Sequence, residues 1–362
     1  MSMEVKKAGN SNQIAKAADK KIRISVLARH YGTLFGLLLI CAVFTALTPT
    51  FASGKNIFTI IRQNTSLAIL SLGLTFVMIT GRSDLSIGYT TSFMGVIVAA
   101  LMSNFGFPIW ISIILVIIAG ALVGLINGFA VAYVGIPDFI ATLGIGYLVA
   151  GLNQWYTKGY SISGLPAAFD FFGLSKIGIV PVAVIILAIV FAIFSVIINK
   201  TRFGRHLYAI GDNEEATMMS GVNTKFNVMM AFAVCGVSAA LAAIVLTSKL
   251  GNANPLAGES YLLQAIASVY LGSTAFKDGE PNLLGTIVGT LIIGVMTNGL
   301  TLLNVAYYFQ DIATGIIIII AVTLCIFRLH PATCTEKSCH SAGKNLPRYR
   351  ISLPVITNIG KM

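Results

Sequence analysis

Residues 177–223 read IGIVPVAVIILAIVFAIFSVIINKTRFGRHLYAIGDNEEATMMSGVN, an apolar run that breaks off at Asn199 into a charged stretch. The run over about 177–198 is as long as the roughly 20 residues a helix needs to cross a bilayer. From Asn199 to Phe226 seven residues are charged: Lys200, Arg202, Arg205, Asp212, Glu214, Glu215 and Lys225. From 227 the chain is apolar again, so the charged segment is an excursion from the membrane that something in water must read.

The composition places the rest of the chain in the membrane as well. Of 362 residues, 10% are charged and 56% hydrophobic, with a mean hydropathy of +0.86, whereas soluble domains carry about 25% charged residues. Apolar stretches recur along the whole chain, which excludes a soluble domain with one anchor. The expectation is an all-α, polytopic integral membrane protein of about ten transmembrane helices, near 32–49, 64–81, 86–103, 107–134, 139–156, 177–198, 227–248, 260–275, 284–303 and 306–327. The spans near 86–103 and 260–275 are rich in Gly, Ser and Thr, which fits either broken helices around a path or tightly packed ones.

Basic residues set the orientation. Seven precede Tyr31, four lie between Asn199 and Phe226, and six lie from Arg328 onward. With ten spans all three clusters share one side, the cytoplasm, with both termini there. The net charge of +11 then reflects topology and calls for no nucleic-acid partner. Some 30 polar and basic residues precede the first apolar run, longer than the basic region of a secretory leader, so 32–49 is expected to be retained. This divides the chain into a basic tail (1–31), a transmembrane domain (32–327) holding the loop 199–226, and a polar tail (328–362). His330, Cys334, Cys339 and His340 cluster in that tail without the spacing of a zinc site, and no metal is expected.

Within the charged stretch, Asp212–Gly221 has the grammar of one short helix. Asp212 or Asn213 caps the first free N–H groups, Glu214 and Glu215 complement the positive end of the dipole, and Gly221 suits a left-handed stop. So short a helix is marginal alone, and Met218 with Met219 offers it adaptable apolar contacts. Docking into a groove and a plain solvated connector both fit these residues.

The stretch FGRHLYAIGDNEEATMMSGV resembles the cytoplasmic loop in permease subunits of bacterial ABC importers of the ribose and simple-sugar type, where Gly-Arg, Tyr-Ala-Ile-Gly, Asn-Glu and Ser-Gly recur in this order. GRSDLSIGYTTSFMG (81–95), GIPDFIATLGIGYLVAGL (135–152) and LLGTIVGTLIIGVMTNGLTLLNVAYYFQDIATGIIIIIAV (283–322) are similar to three further segments of that family. The resemblance runs from about 30 to 327. It implies a vitamin-B12-permease-like (type II) importer fold in the bacterial inner membrane, without a cofactor in this chain. The implied partners are a cytoplasmic ABC ATPase that binds ATP and Mg, a periplasmic or lipid-anchored solute-binding protein, a second permease copy or paralogue, and membrane lipid. It further implies that 201–223 holds the helix that couples to the ATPase, through Gly204, Arg205, Ala209, Gly211, Asn213, Glu214, Glu215, Ala216, Met218, Met219 and Gly221. Two departures stand out. Gly81-Arg82-Ser83 replaces the usual Gly-Gly before Asp-Leu-Ser, bringing a charge near a possible solute path, and Asp138 stands between Pro137 and Phe139 where an apolar residue or none is usual.

No Gly-x-x-x-x-Gly-Lys-[Ser/Thr] loop, HExxH or nucleophile elbow is present, so the chain is not expected to be an enzyme, and energy must come from a partner. Polar groups at membrane depth are costly and so are candidates for a path: Asn64, Asp84, Ser86, Tyr89, Thr142, Asn153, Gln154, Asn298, Gln310 and Asp311. Each also has a structural reading, since amides join transmembrane helices and Asp84 with Ser86 suits a helix cap. The favoured reading is a permease for a small polar solute, most simply a monosaccharide. Nucleosides or branched-chain amino acids on the same machinery, and a stand-alone secondary transporter, are the alternatives.

Overall fold

The computed structural model describes residues 33, 35–276 and 279–329. The basic tail and the His330–His340 cluster lie outside the described residues. The chain forms helices α1 (Phe35–Leu47), α2 (Gly54–Ile79), α3 (Ile87–Ser103), α4 (Ile109–Phe129), α5 (Asp138–Thr157), α6 (Val182–Lys200), α7 (Arg202–Asp212), α8 (Glu214–Met219), α9 (Thr224–Leu250), α10 (Glu259–Phe276), α11 (Leu283–Leu302) and α12 (Tyr307–Leu329). Five of these, α2, α4 with its continuation to Val134, α6, α9 and α11, are long and apolar enough to cross a membrane.

Local chemistry sets the boundaries. Side chains of Ser53, Asn223 and Asn282 accept from the backbone N–H three residues on and open α2, α9 and α11. Pro108, Pro137 and Pro181 immediately precede α4, α5 and α6, where a missing N–H costs nothing. The α4 helix widens into a π turn, Ala130–Val134, and Gly135 at φ 82° ends it.

Three expectations change. The second span begins at Gly54 rather than near 64, because Lys55, Arg62, Gln63 and Asn64 make its first turns polar and hide them from a hydropathy reading. Residues 177–181, read as the start of a span, instead belong to a two-stranded hairpin, β1 (Lys176–Ile177) with β2 (Val180–Pro181), turned at Gly178 with φ 63°. The charged stretch holds two helices, α7 and α8, instead of one.

Most of α2, α9 and α11 is buried inside the protein, whereas α4 and α6 turn most of their surface outward. The α9 helix is the hub, packing on α4, α2 and α3, while α10 packs on α11, α12 and α2. Small residues permit this. Along α4, Gly120, Gly124 and Gly128 meet the backbone of α9 at Gly236, Phe232 and Met229, and a Cβ on Gly124 would lie 2.9 Å from Ala233 Cα. Between α10 and α11 the pair Gly272–Gly285 does the same. In lipid, where apolar side chains gain little from burial against one another, such close backbone approach supplies the association energy. Both α3 and α10 are unbroken, so their Gly, Ser and Thr serve packing: Gly88 faces the Gly258 carbonyl and Ser92 Oγ accepts from Gly258 N at 2.8 Å.

Connections gather at two ends. At one, here the charged end, residues 80–86, the start of α5, α7–α8 and residues 279–282 come together. At the other, Ile162 pairs with Ala253, Ser103 Oγ donates to the Gly164 carbonyl and Ser248 Oγ to the Phe169 carbonyl. Trp110, Trp155 and Tyr160 stand exposed near that far end, the placement of aromatic side chains at a bilayer boundary.

Candidate functional site

The charged end is built from α7 and α8. Thr201 Oγ1 accepts from Gly204 N and opens α7. That helix buries Gly204, Leu207 and Ile210, and Gly204 and Gly211 lie directly on the carbonyls of Ile198 and Ile79. The chain then extends at Asn213 (φ −160°), whose Oδ1 accepts from Ala216 N at 2.9 Å and starts α8. Thr217 Oγ1 donates to the carbonyls of Ala209 and Asn213, both at 2.8 Å, which pins α8 to α7. Gly221, at φ 83°, closes α8 with its N–H on the Met218 carbonyl.

The anchored unit presents one surface outward. Met218 is 51% and Met219 82% exposed, and Arg205, Asp212, Asn213, Glu214, Glu215, Ala216 and Gly221 are exposed beside them. Ala209 is half-buried. Two adjacent methionines facing away from the protein, on a helix held from behind, form an adaptable apolar patch with an acidic rim.

The connector between α2 and α3 runs beneath this unit. Arg82 Nη2 donates to both carboxylate oxygens of Glu214, at 2.9 and 3.1 Å, so the arginine sits at the charged end and not along a path through the bundle. On the other side Ser83 N donates to Asp138 Oδ2 at 2.6 Å and Leu85 N to Thr142 Oγ1 at 3.0 Å. Deeper in, Asp84 Oδ1 accepts from Ser86 N and Ser86 Oγ at 2.9 and 2.6 Å, and Asn127 Nδ2 donates to Ser86 Oγ at 2.7 Å. Asp84 and Ser86 are buried; they fold the connector into α3.

The remaining polar candidates are dispersed. Asn153 is buried and donates to the Pro255 carbonyl at 2.8 Å. Asn298 exchanges two amide hydrogen bonds with Asn56, at 2.9 and 3.1 Å. Tyr89 lies against Tyr147, ring centroids 5.5 Å apart. Gln154 and Asp311 are exposed. Asn64 alone of the set lines the largest cavity described, about 470 Å³, which Gln63, Arg62, Lys249, Ser260, Gln264, Thr297 and Thr301 also line. Gln310 reaches that wall through Thr301 Oγ1 at 3.3 Å. The cavity offers amide, hydroxyl and cationic donors from α2, α9, α10 and α11, the equipment to hold a polyol. Sequence reasoning missed Arg62, Gln63, Lys249 and Gln264 because charged and amide residues near helix ends read as boundary rather than lining.

A multi-helix membrane protein with an exposed methionine patch at one end and a polar cavity among its buried helices has the build of a transport permease. Residues 56–322 match the family described as branched-chain amino acid transport system / permease component, and the chain belongs to that family. It is 39% identical over 294 residues to the ribose import permease protein of Haemophilus influenzae, covering 80% of this chain and 91% of the relative. It is 36% identical over 313 residues to the D-allose transport system permease protein of Escherichia coli K12 (86% and 96%) and 34% over 330 residues to the galactose/methyl galactoside import permease protein of the same strain (85% and 97%). No solved structure matches the chain.

Proposed function

We propose that this chain is the membrane subunit of an ATP-driven monosaccharide importer, that all ten long helices, α1–α6 and α9–α12, cross the inner membrane in a type II importer arrangement, and that α7–α8 is the cytoplasmic coupling element. The observation that carries this is the pair Met218–Met219, exposed on a helix fixed from behind by Thr217, Asn213 and Gly211. A rigid outward knob is what a neighbouring ATPase needs in order to tilt helices as it closes, giving alternating access. The sugars named for the relatives, and the amide and hydroxyl lining of the 470 Å³ cavity, favour a monosaccharide over a nucleoside or a branched-chain amino acid. A solute-binding protein delivers it at the far end, and two permease copies, or this one with a paralogue, flank the path. Among the described residues the charges buried within the bundle are few, which argues against an ion-coupled secondary transporter.

The test is uptake of radiolabelled ribose, allose and galactose into right-side-out vesicles that carry this permease with an ATPase encoded beside it, with ATP loaded inside or withheld and a binding protein encoded beside it supplied outside. ATP-dependent accumulation of one sugar is expected. Accumulation that follows a proton or sodium gradient and ignores ATP would overturn the assignment.

A further inference from the structure

The two residues that depart from the family pattern, Arg82 and Asp138, lie 56 positions apart in sequence and meet on one short connector. Arg82 binds Glu214, the first residue of α8, through both carboxylate oxygens at 2.9 and 3.1 Å. The next residue, Ser83, donates its backbone N–H to Asp138 Oδ2 at 2.6 Å, and Asp138 is the first residue of α5. Leu85 N repeats the grip one turn into α5, on Thr142 Oγ1. The connector is therefore held on one flank by α8 and on the other by the N-terminus of α5.

We propose that Glu214–Arg82–Ser83–Asp138 is an electrostatic relay that carries displacement of α8 to the N-terminus of α5, with Arg82 and Asp138 as its positioning residues. This rests on the reading of α7–α8 as the coupling element. Arg82–Glu214 is the one salt bridge among the described residues, and its side chains are 24% and 45% exposed. An ordinary surface pair is worth little, but here the arginine side chain is three-quarters covered and one of its nitrogens reaches both carboxylate oxygens, which fixes the geometry of the pair. Asp138 has a favourable place of its own, since a carboxylate in the first turn of a helix complements the dipole. That fixes its oxygen where Ser83 N needs an acceptor. The close approach of Gly211 to the Ile79 carbonyl and the hydrogen bond that Tyr208 Oη donates to the Pro281 carbonyl at 3.1 Å hold α7 on the bundle, yet no other polar side-chain contact described joins α8 itself to the connector. Glu214 consequently grips the connector from the edge of the outward surface, whose more exposed part is that of Glu215, Met218 and Met219.

The experiment uses the complete transporter in proteoliposomes and reads sugar imported per ATP hydrolysed, with the amount of ATPase retained on the permease measured in parallel. Arg82→Glu and Glu214→Arg are each expected to lower that ratio about five-fold, the size of a modest coupling energy, with the ATPase still bound. The charge-swapped pair R82E/E214R is expected to restore it to near the wild-type value. Asp138→Ala is expected to lower the ratio and Asp138→Asn, which keeps an acceptor oxygen, to leave it largely intact. Single variants that import like the wild type, or a swapped pair no better than the singles, would overturn the relay. Should the singles fold poorly, an Arg82→Cys/Glu214→Cys crosslink decides: import that survives oxidation supports a pair that moves together, and import that stops on oxidation contradicts it. Failure of the coupling reading itself is separate, since no ATPase would then accompany the wild-type chain.

Discussion

Asn213 shows how much one side chain can fix. With extended backbone and Oδ1 on Ala216 N, it separates α7 from α8 and starts the latter. Asn213→Ala should cost about 1 kcal/mol, the usual value of a cap, and release the α8 amides to exchange, which hydrogen–deuterium exchange across 213–221 would reveal; unchanged protection would mean that Thr217 alone holds the helix. This cap was legible in Asp-Asn-Glu-Glu, as was the stop at Gly221. The polar path candidates were not legible in the same way. An asparagine at membrane depth reads alike whether it lines a path or ties two helices, and Asn298 with Asn56 is engaged in the second manner, a contact worth about 0.6 kcal/mol on average. Asp84 and Ser86 carried both readings in their sequence, and the structure adds what neither residue announces, the reach of Asn127 from α4 to Ser86.

Among elements, the pattern of glycines is most informative. Gly120, Gly124 and Gly128 recur every fourth residue on α4 and lie against α9. Gly124→Val would drive a branched side chain into the Phe232 carbonyl and Ala233, and overpacking of that kind costs about 1–3 kcal/mol or more. The expected result is lower yield and a lower Tm in detergent. Gly144→Ala on α5, where a Cβ meets nothing within 4 Å, is the control that should be silent for folding. Apolar length revealed most helices, but it missed the start of α2, because Lys55, Arg62, Gln63 and Asn64 are polar while still helical. It also missed α7, whose Phe203, Leu207 and Ile210 fall at helical spacing and were masked by two glycines and three charges.

At the scale of the whole molecule, the three basic clusters, before Tyr31, between Asn199 and Phe226 and from Arg328 onward, share one side if ten helices cross the membrane. In a chain whose five native cysteines (41, 235, 325, 334 and 339) are replaced, Ser220→Cys should react with a membrane-impermeant maleimide only from the cytoplasmic side, and Asn104→Cys only from the opposite side. Labelling of both from one side would require an even number of spans between them, against the three, α4, α5 and α6, that lie there. The sidedness rests on Lys and Arg counts that any reader of the sequence could make. The arrangement of α8, the connector and α5 did not follow from them, because it joins residues 82, 138 and 214 through contacts that no local pattern encodes. The central claim is that the exposed methionines of α8 engage an ATPase. Its most direct test is purification of the wild-type chain and a Met218→Glu/Met219→Glu variant from native membranes, followed by mass spectrometry of the proteins retained with each. An ABC ATPase held by the wild type and lost from an otherwise folded variant is the expected result; an ATPase retained equally by both, or absent from both, would contradict the account.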